Sequence, residues 1–231
     1  MVVIMAGTWK RITLDKTVTG EIDRPIYLVP TSEKAVALTF DISWGERSAG
    51  PILDILKEHQ VQATFFLSGP WAQKHPELVT RIVEDGHELA SHGHRHINYS
   101  TLTKKEIKAE VEKAQQAIYS VSGIKTKYIR TPNGDYNAEA IRAIREAGHT
   151  AIQWSLDSKD WLNPGVKAII DQVFSNCQRG AIILMHASDS CNQTHLALPE
   201  ILKGLKEKGY AIKTVGALLE SYQNRKPPLA R

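Results

Sequence analysis

The chain has 231 residues, 42% hydrophobic and 23% charged, a balance that excludes disorder, collagen and coiled coil as whole-chain descriptions and suits one large domain. Twenty-nine basic against 25 acidic residues leave a charge of +4, without the basic stripe in which a nucleic-acid binder concentrates its charge. No apolar run reaches the length of a membrane span.

The first residues, Met1 to Gly7, are too short for a signal-peptide core and lack a basic stretch before it. They predict either a cytoplasmic protein or one whose export segment has been removed. Residues 1–33, interrupted at Gly20, Pro25 and Pro30, read as an N-terminal arm with short strands laid over the main domain. Regular alternation begins at Lys34. Ala35 to Phe40 is a strand-length apolar run ending in Asp41, and Ala49 to His59 is helical with Ile52, Ile55 and Leu56 on one face. Gln62 to Leu67 reads as a strand, Trp71 to Glu84 as one helix, and His87 to Ser91 as a strand entering a histidine-rich loop. Thr103 to Ser122 is a long helix opened by a capping-box pattern at Thr103 and Glu106. Next come a strand at Lys127 to Arg130, a helix at Ala138 to Ala147, a strand at Thr150 to Ser155 and a helix at Pro164 to Cys177. Gly180 to Met185 is a strand, Leu198 to Lys208 a helix, Tyr210 to Lys213 a strand and Val215 to Tyr222 a last helix before a short tail, 223–231. Cys177 and Cys191 lie near one end of the same predicted strand, and two free thiols are favoured over a disulfide.

Strand–helix alternation implies a parallel sheet with helices outside it. About seven such units fit a single α/β domain built as a deformed (β/α) barrel, over residues 34–222, better than an open doubly wound sheet. No Gly-x-Gly-x-x-Gly follows the first strand, which weakens a dinucleotide-binding version of the open sheet.

The unusual polar residues follow the predicted strands: Asp41; His92, His94 and His96; Arg130; Asp157 and Asp160; His186. In a parallel barrel all strand C-termini open on one face, where active sites lie. His92 and His96 are spaced like two metal ligands on one helical turn. Asp41, ending a buried strand, needs a partner that Arg130 can supply; the pair is either structural or a general base aimed by a guanidinium. His186 alone could be a satisfied core histidine, but beside Asp160 it reads as a general acid.

With these residues in place the chain resembles the polysaccharide deacetylases of carbohydrate esterase family 4, the NodB-homology domain. The resemblance runs from about Lys34 to Tyr222 on five ordered motifs: Thr39-Phe40-Asp41, Ser91 to His96, Arg130-Thr131-Pro132-Asn133-Gly134, Asp157 to Trp161, and Leu184-Met185-His186. The stretch Thr39 to Glu46 further resembles the spore-associated, PdaB-like subgroup. The family implies removal of N-acetyl groups from N-acetylglucosamine polymers such as peptidoglycan or chitin, not cleavage of peptide bonds, and a protein outside the cytoplasm at the cell wall or spore. By position it implies that His92 and His96 hold a divalent metal, commonly zinc, with cobalt an alternative. Asp41 is then the base, Arg130 orients it, His186 protonates the leaving amine and Asp160 tunes His186. The Asn133 backbone N–H stabilises the oxyanion, and Trp161 and Leu184 line the slot for the acetyl methyl. Trp44 is either a sugar-stacking or a packing residue, and Trp71 reads as packing.

One position departs from the pattern. The family's first motif carries two adjacent carboxylates, the second being the third metal ligand; here that position is Ile42, which coordinates nothing. Three outcomes stay open: Asp41 moves onto the metal; water, Glu46 or His94 completes the shell; or the site is metal-poor and weakly active. The leading expectation is therefore a metal-dependent deacetylase. A glycan-binding or sporulation protein without turnover, and a hydrolase of small non-sugar amides, are the alternatives.

Overall fold

The computed structural model of the chain describes residues 24–224. Eight parallel strands are β1 (Ala35–Ile42), β2 (Thr64–Leu67), β3 (Glu88–Ser91), β4 (Tyr128–Ile129), β5 (Thr150–Ala151), β6 (Leu156–Asp157), β7 (Ile182–His186) and β8 (Ala211–Lys213). Their spatial order is β5-β4-β3-β2-β1-β7-β6, with β8 against the first half of β1. Around them lie α1 (Ala49–Glu58), α2 (Gly69–Lys74), α3 (Pro76–Glu84), α4 (Lys104–Ser122), α5 (Ala138–Glu146), α6 (Val166–Asn176), α7 (Thr194–Glu207) and α8 (Val215–Gln223). The α/β deformed barrel expected from the alternation is the architecture found.

Strand β1 is the axis of the fold. All eight of its residues are buried, as a parallel strand covered on both faces requires. Its alternation separates two apolar layers. Val36, Leu38, Phe40 and Ile42 join the large cluster formed with α1, α6 and α7. Ala35 and Ala37 face the barrel interior, where they meet Phe66, Ala90, Ile182 and, from α8 at the bottom, Val215 and Leu218. The small alanines leave room for those larger side chains. Thr39 and Asp41 continue the inward face towards the top, which puts a carboxylate in the barrel mouth.

Sequence periodicity ran ahead of the structure in several places. The helix expected over Trp71 to Glu84 is two, because a proline disfavours helical geometry in the residue before it; His75 sits at φ −125°, ψ 58° ahead of Pro76. The strand expected over Thr150 to Ser155 breaks after Ala151 and resumes as β6, which the sequence reading missed. The reason is a change of partner: β5 pairs with β4 whereas β6 pairs with β7, so residues 152–155 carry the chain across the barrel. The helix expected from Leu198 begins at Thr194 and holds Pro199 inside it. Cys177 and Cys191 do not lie at one end of a strand as expected; Cys177 ends α6 ahead of β7 and Cys191 lies in the loop after it, and both are free.

The arm expected over residues 1–33 lies outside the described residues as far as 23. Residues 24–33 are part of the barrel wall. Ile26 N–H donates to Ala151 O and Gln153 N–H to Ile26 O, while Val29 N–H donates to Gly180 O, so this segment bridges the β5 side to β7. Gly180 makes the closure feasible: it sits at φ +75°, and a Cβ there would lie 1.7 Å from Val29 O. Gly180→Ala should therefore lower stability by at least about 1–2 kcal/mol from backbone strain alone, read as the midpoint of urea unfolding. An unchanged midpoint would contradict this close approach.

Candidate active site

The residues expected at the site leave strands at their C-terminal ends. Asp41 is the penultimate residue of β1 and His186 the last of β7, and the two are register partners on adjacent strands, about 4.8 Å apart in backbone. His92 follows β3 directly, Arg130 follows β4, and Asp160 comes three residues after β6. These ends open on a cavity of about 470 Å³ lined by Asp41, His92, His96, Asn133, Trp161, Leu184 and His186, with Trp44 and Trp154 among its aromatic walls.

Arg130, fully buried, organises one side of it. Its Nη1 donates to Asp41 Oδ1 at 2.6 Å and to Thr39 Oγ1 at 2.9 Å, and Nη2 donates to Gln153 O at 3.1 Å. The guanidinium also rests on Phe66, 4.1 Å from the ring centre. Its backbone does a second job, because Arg130 O accepts the Nδ1–H of His92 at 3.0 Å. A carbonyl can only accept, so neutral His92 carries its free lone pair on Nε2. That nitrogen stands 3.7 Å from Asp41 Oδ2. One residue thus aims both the carboxylate and the imidazole.

The opposite side is a second pair, a buried Asp160 and a half-buried His186. His186 Nδ1 lies 2.7 Å from Asp160 Oδ1, and Asp160 Oδ2 accepts from His186 N–H and from Thr194 Oγ1, each at 2.7 Å. The Thr194 contact explains why α7 starts before Pro199: its first residue anchors Asp160.

Electrostatics separates the three histidines. Burial pushes His92 down to about 4, against the pull of Asp41, and burial likewise lowers His96. For His186 burial also opposes the charge, but the Asp160 hydrogen bond and charge, with Asp41 and Asp157 behind, outweigh it and the imidazole is raised. Burial works against ionised Asp41 too, yet the Arg130 charge beside it leaves the carboxyl below its ordinary value. The cavity therefore presents two neutral imidazoles, one imidazole biased towards its cation, and a carboxylate. Environments that push like groups apart in this way are how acid and base roles are divided.

Neutral imidazole is the form that binds a metal. His92 and His96 do not share a helical turn as their spacing suggested; residues 92–96 form a loop, turned by Gly93 at φ +77°, where a Cβ would lie 2.7 Å from Tyr99 Oη. Their ring centres are nonetheless 5.2 Å apart. With Asp41 Oδ2 3.7 Å from His92 Nε2, the donor types suit a borderline divalent ion such as zinc or cobalt. Neither protein group considered as a third ligand lines the cavity. Glu46 is turned to His75, 3.3 Å from its Nδ1, and His94 packs its Nδ1 against Gly69 of α2. Ile42 is fully buried in the outer apolar layer. Asp41 or water is left to complete the shell.

Asn133 holds a left-handed conformation, φ 58°, with its side-chain amide donating to Asn98 Oδ1. Leu184 is buried at the cavity floor, while Trp161 and Trp44 are each 47% exposed at the rim. Trp44 stands edge-on to His96, 5.3 Å between ring centres, whereas Trp71 is buried and bonded to Gly45 O. The sequence reading missed Trp154, Ser43, Ser188, Ser190 and Cys191 as cavity residues. Trp154 was hidden inside the strand predicted over Thr150 to Ser155, which in fact ends at Ala151; the serines carried no signal.

A family model described as polysaccharide deacetylase matches residues 28–152. The chain is 33% identical over 196 residues to YlxY, an uncharacterized protein of Bacillus subtilis, covering 85% of this chain and 60% of that one. It is 33% identical over 195 residues to a peptidoglycan-N-acetylglucosamine deacetylase of Bacillus cereus, covering 83% and 91% respectively. Among solved structures, BA3943 from Bacillus anthracis, described as a CE4 family pseudoenzyme, matches with a TM-score of 0.81 at 32% identity, covering 85% of this chain and 69% of that one. A mutant of that protein described as having restored enzymatic activity gives the same score.

Proposed function

The chain belongs to the polysaccharide deacetylase family, and from that premise we propose that it is a metal-dependent hydrolase removing N-acetyl groups from N-acetylglucosamine-containing polysaccharide, with peptidoglycan as its substrate. The observation that carries this reading is the pairing of a carboxylate held ionised, Asp41 on Arg130, with an imidazole held towards its cation, His186 on Asp160, across one cavity. Amide hydrolysis needs both. Asp41 takes the proton of the attacking water, and His186, its Nδ1–H anchored on Asp160, gives a proton from Nε2 to the departing amine. The Asn133 backbone N–H faces the developing oxyanion, a contact worth roughly 3 kcal/mol in such sites. Trp161 and Leu184 flank the acetyl methyl. A divalent ion held by His92 and His96 would polarise the carbonyl and lower the pKa of water. A wall substrate places the protein outside the cytoplasm. Release of acetate from peptidoglycan, and less readily from chitin oligomers, tests the reading; preference for a small soluble amide would overturn it.

Asp160 has a measurable role in this scheme. The charge that raises His186 is chiefly its own, while the burial that lowers His186 stays when the charge is removed. His186 acts in its protonated form, so activity is lost as pH rises through its pKa. Asp160→Asn should therefore move the alkaline limb of the kcat/KM profile to lower pH. A limb that stays in place would assign it to another group.

A second reading is favoured by Ile42, which offers no donor and is buried away from the cavity, and by the similarity to BA3943. It is a glycan-binding protein without turnover. It predicts oligosaccharide binding without acetate release, unaltered by metal or by Asp41→Asn.

A further inference from the structure

Beside the His92–His96 pair, the barrel mouth holds a second convergence of ligand types. Asp160, His186 and Cys191 each place a potential ligand atom within 4.8 Å of the other two. We propose that these three side chains form a separate metal site, selective for a thiophilic divalent ion such as zinc or cobalt(II).

The donor set is one carboxylate oxygen, one imidazole nitrogen and one sulfur, delivered by the turn after β6, the end of β7 and the loop after β7. Three protein ligands with a fourth position on a cavity is the arrangement such ions accept, and the thiolate discriminates against magnesium and calcium. Asp160 and Cys191 are 0% and 1% exposed, so the ion would be shielded from competing water, yet both His186 and Cys191 line the cavity and leave it a path in. Asp160 Oδ2 is already held by Thr194 Oγ1 and the His186 N–H, outer contacts of the kind that hold metal ligands in place, and Oδ1 would exchange its hydrogen bond to His186 Nδ1 for the ion. The Cys191 Sγ has a weak contact with Ser190 Oγ at 3.7 Å. Burial, with the Asp160 charge, pushes the thiol up to about 12. Without an ion it stays protonated, and binding would release its proton, and any on the ligating nitrogen, to solvent. Occupation ties up His186, so excess zinc would silence a protein that works well at lower zinc. That consequence rests on the proposed role of His186; the site itself does not.

Cobalt(II) titration of the full chain tests the site without reference to activity. A thiolate ligand gives a sulfur-to-cobalt charge-transfer absorption in the near ultraviolet, which cobalt on His92 and His96 cannot produce. The band should appear, be lost in Cys191→Ser and persist in Cys177→Ser. Should the serine variant fail to fold, His186→Gln with Cys191 intact should weaken or abolish it. No band at saturating cobalt, or a band that survives Cys191→Ser, would overturn the proposal. Inhibition of acetate release by excess zinc, relieved in Cys191→Ser, would extend it to regulation; a protein with the band but no acetate release keeps the site and loses only the deacetylase reading.

Discussion

Asp41→Asn should reduce acetate release by roughly 10²–10⁴-fold, the usual contribution of a positioned general base, and should also destabilise the fold. The two effects share one cause. Arg130 is fully buried, and Asp41 is the carboxylate bonded to its Nη1; its other partners, Thr39 Oγ1 and Gln153 O, are neutral. Removing one member of a buried ion pair leaves an uncompensated charge, at a cost on the order of 3–5 kcal/mol. Asparagine keeps the volume and one acceptor oxygen, so the barrel should still form. The readouts are kcat against N-acetylglucosamine oligomers and the midpoint of thermal unfolding. A kcat within tenfold of the parent would remove Asp41 from the proton-transfer role, whatever happens to stability.

Ile42→Asp should produce a different kind of change, a protein less stable than the parent without metal and partly restored by it. The site lies at the last position of β1, 0% exposed, in the layer that packs against the helices. Losing the isoleucine there costs about 2–5 kcal/mol, and an unpaired carboxylate adds to that. Binding an ion recovers stability as the logarithm of its concentration over Kd, about 2.7 kcal/mol at 100-fold excess over Kd. The melting temperature of the variant should accordingly rise with zinc far more than that of the parent protein, with tighter retention of zinc against a chelator. Equal zinc-induced shifts would mean that the end of β1 cannot turn a carboxylate towards His92 and His96. The outcome bears on what the isoleucine does where the family resemblance implies a carboxylate.

Much of the fold and the site was legible in the sequence. Parallel strands buried on both faces appear there as short apolar runs, and a polar residue that ends such a run must sit at the barrel mouth; Asp41 and His186 were found on that logic alone. The capping box at Thr103 and Glu106 likewise marked the start of α4. What stayed hidden depended on long-range geometry. Nothing local reveals that residues 152–155 change partners from β4 to β7. Nor does sequence show that the Arg130 carbonyl fixes the His92 tautomer, because backbone groups have no sequence signature. Cys191 carried no motif, and only the closeness of its loop to Asp160 makes it chemically interesting. Glu46 and His94 were candidates to complete the shell in place of Ile42, yet His75 and the start of α2 hold them elsewhere.

Among the described residues no helix is long and apolar enough to cross a membrane. In the proposed reading this mouth hydrolyses acetamido groups with the help of an ion on His92 and His96. The deciding measurement is the metal content of the purified protein, taken together with acetate release from peptidoglycan and N-acetylglucosamine oligomers before and after chelation and after zinc or cobalt is restored. Acetate release should be lost on chelation and return with the metal. Acetate release indifferent to chelation, or none under any metal supplement despite bound oligosaccharide, would contradict that reading and leave a glycan-binding barrel.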